Sequence, residues 1–314
     1  MNEDINAGEG QMRGAASAEG SGFHSGFVAV LGRPNVGKST LVNALVGEKV
    51  AIVSRVPQTT RHRIAGVVNG PGYQAVLLDL PGFQKPRDLL TERMQTAVNT
   101  TLREVDLIIL MLNAAEGIGG GDRFVSDASF RTGTPVIIAL NKIDLAGPDV
   151  VLPLIEEAGG LGDYQEIFPI SARKGWSLDE LKAAIVSRLP EGPRYFPEGE
   201  VSDQPERELA AEFIREQALR LTREEVPHAV AVDIVDMQQR QESGIVDLEA
   251  VIIVERESQK GILIGKQGKM IKEIGSRSRT EIETLLGSKV FMNLTVRVKK
   301  KWRQNERVLG DLGL

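Results

Sequence analysis

The sequence of 314 residues contains no cysteine. This absence excludes disulfide bonds, thiolate catalysis, Cys-ligated zinc and iron–sulfur clusters, and it suits a reducing cytoplasm. Histidine is also scarce, since only His24, His62 and His228 occur, and their wide separation argues against a histidine metal site. Aromatic residues make up only 4% of the chain, so its core must consist mainly of Val, Ile, Leu and Ala.

Long apolar runs are missing as well. The runs Leu107–Leu112 and Pro135–Leu140 have the length of strands and fall far short of the roughly 20 residues of a spanning helix. Residues 1–24 are rich in Gly, Ala, Ser and Glu, and we expect a disordered tail there, neither a signal peptide nor a membrane span. The sequence thus predicts a soluble protein of about two domains.

Charge is unevenly distributed along the chain. Between Arg256 and Arg307 there are 14 Lys and Arg against 5 Asp and Glu, although acidic residues outnumber basic ones overall. A basic block on an acidic protein favours a polyanionic partner, and a charged, solvated face is the plainer alternative.

Short apolar runs alternate with helical patterns through residues 25–190, which predicts a mostly parallel sheet with helices on both faces. In such α/β folds, ligands bind at the carboxyl ends of the strands. The predicted strands are Phe27–Leu31, Ala75–Leu80, Leu107–Leu112, Val136–Asn141 and Ile167–Ile170. The predicted helices are Thr40–Val46, Thr91–Val105, Val150–Ala158 and Leu178–Leu189.

A second unit follows residues 191–205, a stretch with several prolines and glycines that we interpret as a linker. Residues 206–314 then predict the order α-β-β-α-α-β, a small α+β domain. Its elements are a helix around Glu206–Glu225, strands Ala229–Gln238 and Val246–Glu255, two helices joined at Gly265–Gly268, and a strand Val290–Lys299.

The strongest motif is a P-loop of the form G-x-x-x-x-G-K-[ST], placed between a predicted strand and a predicted helix. Its glycines allow backbone N–H groups to surround phosphate oxygens, and the helix N-terminus favours the negative charge. Lys38 is expected to reach the β- and γ-phosphates, and the Ser39 hydroxyl to bind Mg²⁺. The residues predicted to contact phosphate are Gly32, Arg33, Pro34, Asn35, Val36, Gly37, Lys38, Ser39 and Thr40.

Three later motifs, each at a strand end, indicate a guanine nucleotide. Asp79 is expected to hold Mg²⁺ through water and Gly82 to offer its N–H to the γ-phosphate, while the two oxygens of Asp144 match the N1–H and amino group of guanine. Ser171-Ala172-Arg173 is expected to place a backbone N–H near the guanine oxygen. The predicted contacts are Asp79, Leu80, Pro81, Gly82 and Phe83, then Asn141, Lys142, Ile143 and Asp144, then Ser171 and Ala172.

The loop Pro57–Arg61 lies between the P-loop and Asp79 and has the character of a switch, held by γ-phosphate and Mg²⁺ and released on hydrolysis. Thr60 is the better candidate to complete the Mg²⁺ shell, and Thr59 is its rival. The candidate catalytic residues are therefore Lys38, Thr60 and Gly82, and the candidate metal ligands are Ser39, Thr60 and Asp79.

Phe83 occupies the position at which Ras-like enzymes carry a Gln that orients the attacking water. Because a phenyl ring cannot hydrogen-bond to water, we expect slow intrinsic hydrolysis, with the missing group supplied elsewhere. A monovalent cation such as K⁺, bound near Asn35, is one such supplier.

A G-x-x-G loop in the basic block predicts the second site. Two glycines let a nucleic-acid backbone approach closely, and the flanking lysines neutralise phosphates. The setting between two helices is typical of a KH domain, with a helix hairpin and tight turn as the alternative. The predicted RNA-binding residues are Gly265, Lys266, Gln267, Gly268 and Lys269.

From about Ser25 onward, this order of motifs resembles the Era family of bacterial GTPases. The specific pairing is Gln58-Thr-Thr-Arg61 with a later KH loop; Leu80 and Arg173 depart slightly from the usual pattern. The resemblance implies GTP hydrolysis with Mg²⁺, a type II KH domain that binds the 3′ end of 16S rRNA, and a role in maturation of the 30S subunit. It also implies a monomeric cytoplasmic protein with a peripheral membrane pool.

Three other functions compete with this interpretation. A nucleotide-dependent RNA-binding assembly factor with little turnover is compatible with Phe83. A tRNA-modifying GTPase is disfavoured by the absence of cysteine and of clustered acid/base motifs in the second unit. A membrane-trafficking GTPase is disfavoured because no lipid-anchor motif is present.

Overall fold

The computed structural model describes residues 22–83 and 86–314. Most of the predicted tail, residues 1–24, therefore lies outside the described residues. No helix within the two described ranges is both long and apolar enough to cross a membrane.

The N-terminal domain alternates strands and helices. Its strands are β1 His24–Gly32, β2 Ile64–Gly70, β3 Tyr73–Asp79, β4 Leu107–Asn113, β5 Val136–Asn141 and β6 Glu166–Pro169. Its helices are α1 Lys38–Val46, α2 Leu89–Thr101, α3 Gly120–Phe130, α4 Pro148–Gly159 and α5 Leu178–Val186. The prediction did not include β2 or α3.

The six strands form one sheet in the order β2-β3-β1-β4-β5-β6, in which only the β2–β3 pairing is antiparallel. Val30 of β1 pairs with Asp79 of β3, and Asn113 of β4 pairs with Asn141 of β5. The motif residues therefore emerge together at the carboxyl edge of the sheet, where α/β folds bind ligands.

Helices cover both faces of this sheet. On one face α1 and α5 pack through residues such as Leu41 and Leu181. On the other face α2, α3 and α4 pack through Val98, Val125 and Leu154. The predicted α/β fold with a mostly parallel, two-sided sheet is confirmed.

The C-terminal domain has the order α-β-β-α-α-β, with a short helix added after the first and another at the end, so the predicted type II KH fold is also confirmed. Its helices are α6 Glu206–Leu221, α7 Val226–Ala229, α8 Glu257–Ile264, α9 Lys269–Leu286 and α10 Glu306–Asp311, and its strands are β7 Ala231–Gln239, β8 Val246–Val254 and β9 Val290–Val298. Strand β8 is central, antiparallel to β7 and parallel to β9. Helices α6, α8 and α9 share one apolar core with this sheet.

Residues 191–205 connect the two domains, and they lie along the N-terminal domain. The Val67 N–H donates to Val201 O at 2.9 Å, and the Ala65 N–H donates to the Asp203 carboxylate at 3.0 Å. The connecting segment thus covers part of β2, the edge strand of the sheet, where unpaired backbone groups would otherwise be exposed.

The two domains also pack directly against each other. Leu90 and Met94 of α2 contact an apolar cluster of the C-terminal domain that includes Trp302 and Leu309. Trp302 is fully buried, and its indole N–H donates to Ala229 O at 2.8 Å. The Arg61 guanidinium lies over the Trp302 ring, 5.4 Å from its centre.

Candidate functional site

The P-loop joins β1 to α1 and depends on backbone conformations that favour glycine. Gly37 has φ +109°, and a Cβ added there would lie 2.3 Å from the side-chain nitrogen of Asn141. Lys38 opens α1, and its ammonium donates to the carbonyl oxygens of Gly32 and Arg33 at 3.3 and 3.2 Å. Burial lowers the pKa of Lys38, an effect that the charge of Asp79 opposes.

Three side-chain oxygens meet beside this lysine. The Ser39 hydroxyl donates to Asp79 Oδ2 at 2.6 Å, the Thr60 hydroxyl donates to the same oxygen at 3.1 Å, and the two hydroxyl oxygens lie 3.1 Å apart. The Thr59 hydroxyl instead donates to Val56 O at 2.7 Å. The structure therefore brings Thr60, and not Thr59, to Ser39 and Asp79.

Asp79 is fully buried, and burial raises the pKa of its carboxyl group. Its second oxygen, Oδ1, is buried without a hydrogen-bond partner in the protein. A buried carboxylate oxygen costs free energy unless it is satisfied, and hydroxyl and carboxylate oxygens are the ligands that Mg²⁺ takes in nucleotide sites. The residues present thus fit a magnesium ion.

The segments predicted to recognise the base are bonded to one another. Asn141 donates from Nδ2 to Val36 O at 2.8 Å, and its Oδ1 accepts the Ala172 N–H at 3.0 Å. The Asp144 carboxylate accepts from the Ser171 hydroxyl at 2.7 Å. The Ala172 N–H is therefore used within the protein to orient Asn141.

Lys142 also links the base-recognition segment to the P-loop. It has φ +67°, and its ammonium donates to Asn35 O at 2.7 Å. Asn35 also has a positive φ, +65°, and its side-chain amide donates to Arg55 O at 2.8 Å. These bonds place Asn35 between the base-recognition segment and the residues that precede the switch loop.

Together these segments surround a cleft of about 470 Å³. The predicted residues that line it are Pro34, Asn35, Gly37, Lys38, Ser39, Thr40, Thr60, Gly82, Asn141, Lys142 and Asp144. The lining residues that the prediction did not include are Ile52, Val53, Ser54, Arg55 and Leu145; Gln58, Thr59 and Arg173 also line the cleft and lie within predicted motifs. Ile52–Arg55 carried no motif, although their position just before the Thr59–Thr60 pair was a usable signal.

Some predicted contact residues point elsewhere. Phe83 is buried against α3, with its ring centre 5.3 Å from that of Phe124, and Leu80 lies in the same core. The Arg33 guanidinium forms an ion pair with Asp122 of α3 at 2.8 Å. The side chains of Leu80 and Phe83 are therefore buried away from a nucleotide, and the Arg33 side chain is held by α3.

The G-x-x-G loop forms a tight turn between α8 and α9. Gly265, Gln267 and Gly268 all have positive φ, and a Cβ at Gly265 would lie 2.7 Å from that of Met270. Lys266 and Lys269 are exposed, and neither forms an ion pair with any described residue. The loop thus presents uncompensated positive charge on a backbone that a ligand can approach closely.

Comparison with known proteins identifies both domains. Residues 27–142 match the family described as 50S ribosome-binding GTPase, and residues 225–303 match the KH domain family. GTPase Era of Heliobacterium modesticaldum is 50% identical over 291 residues, which cover 93% of this chain and 97% of that protein. GTPase Era of Lacticaseibacillus paracasei is 49% identical, with the same coverage.

Two solved structures match over the same extent. One is Era in complex with MgGDPNP and nucleotides 1506–1542 of 16S ribosomal RNA, with a TM-score of 0.90, 43% identity and coverage of 93% of this chain and 99% of that one. The other is an Aquifex aeolicus Era variant bound to GDP and AlF4⁻, with a TM-score of 0.90, 42% identity and the same coverage.

Proposed function

This chain belongs to the Era family of GTPases, and from that premise we propose that it is a GTP-driven switch whose KH domain binds the 3′ end of 16S rRNA during assembly of the 30S subunit. The observation that carries the proposal is the likeness, over 93% of the chain, to an Era structure that holds a GTP analogue with magnesium and a 16S rRNA fragment. The two sites described above lie in the matching domains.

The P-loop supplies the contacts to phosphate. The ammonium of Lys38, now bonded to two loop carbonyls, is placed to exchange them for β- and γ-phosphate oxygens, and the start of α1 adds a favourable dipole. Gly82 offers its N–H on the opposite side. A Cβ at Gly82 would lie only 3.0–3.3 Å from Pro34, so a larger residue would crowd the P-loop there.

Ser39, Thr60 and Asp79 would hold Mg²⁺, the first two directly and Asp79 through water. When bound there, the ion neutralises charge that develops on the phosphoryl oxygens during transfer. Because Ser39 and Thr60 already lie within 3.1 Å of one Asp79 oxygen, little rearrangement of the protein is needed.

Asp144 would bind guanine through its two carboxylate oxygens. Asn141 would hold the base-recognition segment against the P-loop. The Arg173 side chain lines the cleft beside them. Adenine presents no pair of adjacent donors to a carboxylate, so this arrangement selects guanine.

Hydrolysis requires a group that Phe83 does not supply, since its ring is buried in the core. We propose that K⁺ bound near Asn35 contributes, because the Asn35 side chain lies at the cleft next to the carbonyl of Arg55. The test is the rate of phosphate release in potassium and in sodium at equal ionic strength. Equal rates would remove K⁺ from the proposal; little release in either salt, even with added 30S subunits, would favour the alternative of an RNA-binding factor with low turnover.

Residues 265–269 would contact the RNA backbone, with Lys266 and Lys269 on phosphates. The decisive experiment is ultraviolet crosslinking to total RNA in the GDPNP-bound and GDP-bound forms, followed by sequencing. We expect crosslinks on the single-stranded 3′ end of 16S rRNA, and we expect Lys266→Ala/Lys269→Ala to reduce them. Uniform labelling of unrelated RNAs would contradict this assignment.

The remaining expectations concern the cellular setting. We propose that the protein acts as a monomer in the cytoplasm, with a peripheral pool at the membrane, and that its target is the assembling 30S subunit. Cosedimentation with 30S subunits but not with 70S ribosomes, measured with each nucleotide, tests the last point.

A further inference from the structure

The switch segment, residues 49–61, lies between the nucleotide cleft and the C-terminal domain. Ile52 packs in the apolar core of that domain, together with residues of α6 such as Phe213. The Val53 N–H donates to Glu216 at 2.8 Å, and Lys49 forms ion pairs with Glu216 and Glu281. The N-terminal part of the switch segment, residues 49–53, thus contacts the KH domain.

The two residues that flank Thr60 are attached to the same domain. The Arg215 guanidinium of α6 donates to the carbonyl oxygen of Thr59. On the other side, the Arg61 guanidinium donates to Val230 O at 2.7 Å and to His228 O at 3.3 Å. Thr60 itself points the opposite way, toward Ser39 and Asp79.

Arg215 is only 2% exposed and forms an ion pair with Glu212 at 2.5 Å. A buried ion pair is weak evidence of stabilisation, because desolvation of both charges offsets much of their attraction. Arg215 therefore contributes little to folding that an apolar residue of similar volume could not supply. What an apolar residue cannot supply is the hydrogen bond to Thr59.

We propose that Arg215 is a positioning residue for GTP binding and hydrolysis: from the KH domain it holds the Thr59 carbonyl so that the Thr60 hydroxyl reaches the magnesium and γ-phosphate position. This inference rests on the proposed role of Thr60 in the Mg²⁺ shell. A ligand that needs one loop conformation binds more tightly when that conformation is already populated. The effect is confined to the triphosphate state, because in switch GTPases the loop is ordered by γ-phosphate and Mg²⁺ and released with GDP.

The test compares Glu212→Leu/Arg215→Met with the wild-type protein. Removing both partners avoids an unpaired buried charge. The loss of one hydrogen bond from a charged donor should weaken GDPNP binding about tenfold and leave GDP binding unchanged. The turnover number should fall in parallel. The matched control is Glu273→Leu/Arg277→Met, an ion pair at 2.5 Å on α9, which should change neither affinity.

Three further variants make the outcome decisive. Arg215→Lys keeps a cationic donor beside Glu212 and should therefore bind GDPNP more tightly than Glu212→Leu/Arg215→Met does. If that double variant does not fold, Glu212→Gln/Arg215→Gln takes its place. Thr60→Ala should lower GDPNP affinity without affecting GDP. Equal losses for GDPNP and GDP in the Arg215 variants would overturn the proposal, as would an effect of Thr60→Ala with none from Arg215. If Thr60→Ala had no effect, the proposed Mg²⁺ shell would fail as well.

Discussion

Asn141 of β5 donates a hydrogen bond of 2.8 Å to the carbonyl of Val36 in the P-loop. This bond joins the segment that reads the base to the segment that holds the phosphates, and Gly37 passes beside it with no room for a Cβ. The distance between the two ends of the nucleotide site is therefore set by the protein before a ligand binds, which lowers the ordering cost of binding.

Asp144→Asn should transfer base preference from guanine to xanthine. An amide offers one donor and one acceptor where guanine needs two acceptors, so GTP affinity should fall about 100-fold, as expected for the loss of a charge-assisted pair of hydrogen bonds. Titration with labelled, non-hydrolysable analogues of GTP and of xanthosine triphosphate measures the change. Asp149→Asn, in the exposed first turn of α4, is the control and should behave as the wild-type protein does. Unchanged GTP affinity in Asp144→Asn would mean that another residue reads the base.

Lys266→Ala/Lys269→Ala should weaken binding of a short 16S 3′-end oligonucleotide and make it less sensitive to salt. For single-stranded RNA, each lost phosphate contact reduces the slope of log K against log salt by about 0.7. Lys289→Ala is a suitable control, because the Lys289 ammonium is already paired with Glu283 at 3.1 Å. A double variant with the wild-type slope would argue that these lysines do not contact phosphate.

Trp302→Ala should destabilise the junction between the domains. The indole is fully buried, donates to Ala229 and packs with Leu90 and Met94 of α2, so its removal should cost about 3–5 kcal/mol of unfolding free energy. Urea unfolding followed by circular dichroism gives this value. Trp176→Ala, at a half-exposed position, should cost less than about 1 kcal/mol. A similar small loss at Trp302 would show that the junction contributes little.

The stability of the junction should also depend on pH through His62. Burial lowers the pKa of His62 from its ordinary value of 6.5, with Arg215 and Arg61 acting in the same direction and Glu212 and Glu208 opposing them. Below pH 6.5 the unfolded chain therefore binds a proton that the folded chain resists, and the free energy of unfolding falls. We expect the melting temperature to drop between about pH 7.5 and 5.5, and to drop less in His62→Gln. An equal drop in the variant would assign the effect to other groups.

Most of the fold could be predicted from the sequence, because the strands are continuous apolar runs and the motifs lie at the ends of the strands. Strand β2 was missed, since Ile64–Gly70 contains two glycines and an asparagine, and its conformation comes from pairing with β3. Helix α3 was missed because it begins with two glycines and carries few apolar residues; the burial of Val125 and Ala128 against the sheet determines it. Tertiary packing overrode weak local preference in both cases.

Many of the residues that the sequence predicts to bind the nucleotide line the cleft, and most of the lining residues that the prediction did not include lie between Ile52 and Gln58. Spacing could not choose between Thr59 and Thr60, because the orientation of a loop residue depends on what holds its neighbours. Those neighbours are held by Arg215 and by contacts from Arg61, and charged residues in a polar sequence give no sign that they will be buried at a domain junction. The sequence patterns thus describe each domain well and the contacts between domains poorly.

The segment that connects the domains has no slack. Its bonds to the N-terminal domain continue to Gln204, whose side chain donates to Arg63 O at 3.5 Å, and Pro205 leads directly into α6. A rotation of the KH domain relative to the N-terminal domain would therefore have to break these bonds or bend the chain at Pro205, and it would also have to break the bonds that α6 makes to the switch segment. The connecting segment thus fixes where α6 begins relative to strand β2.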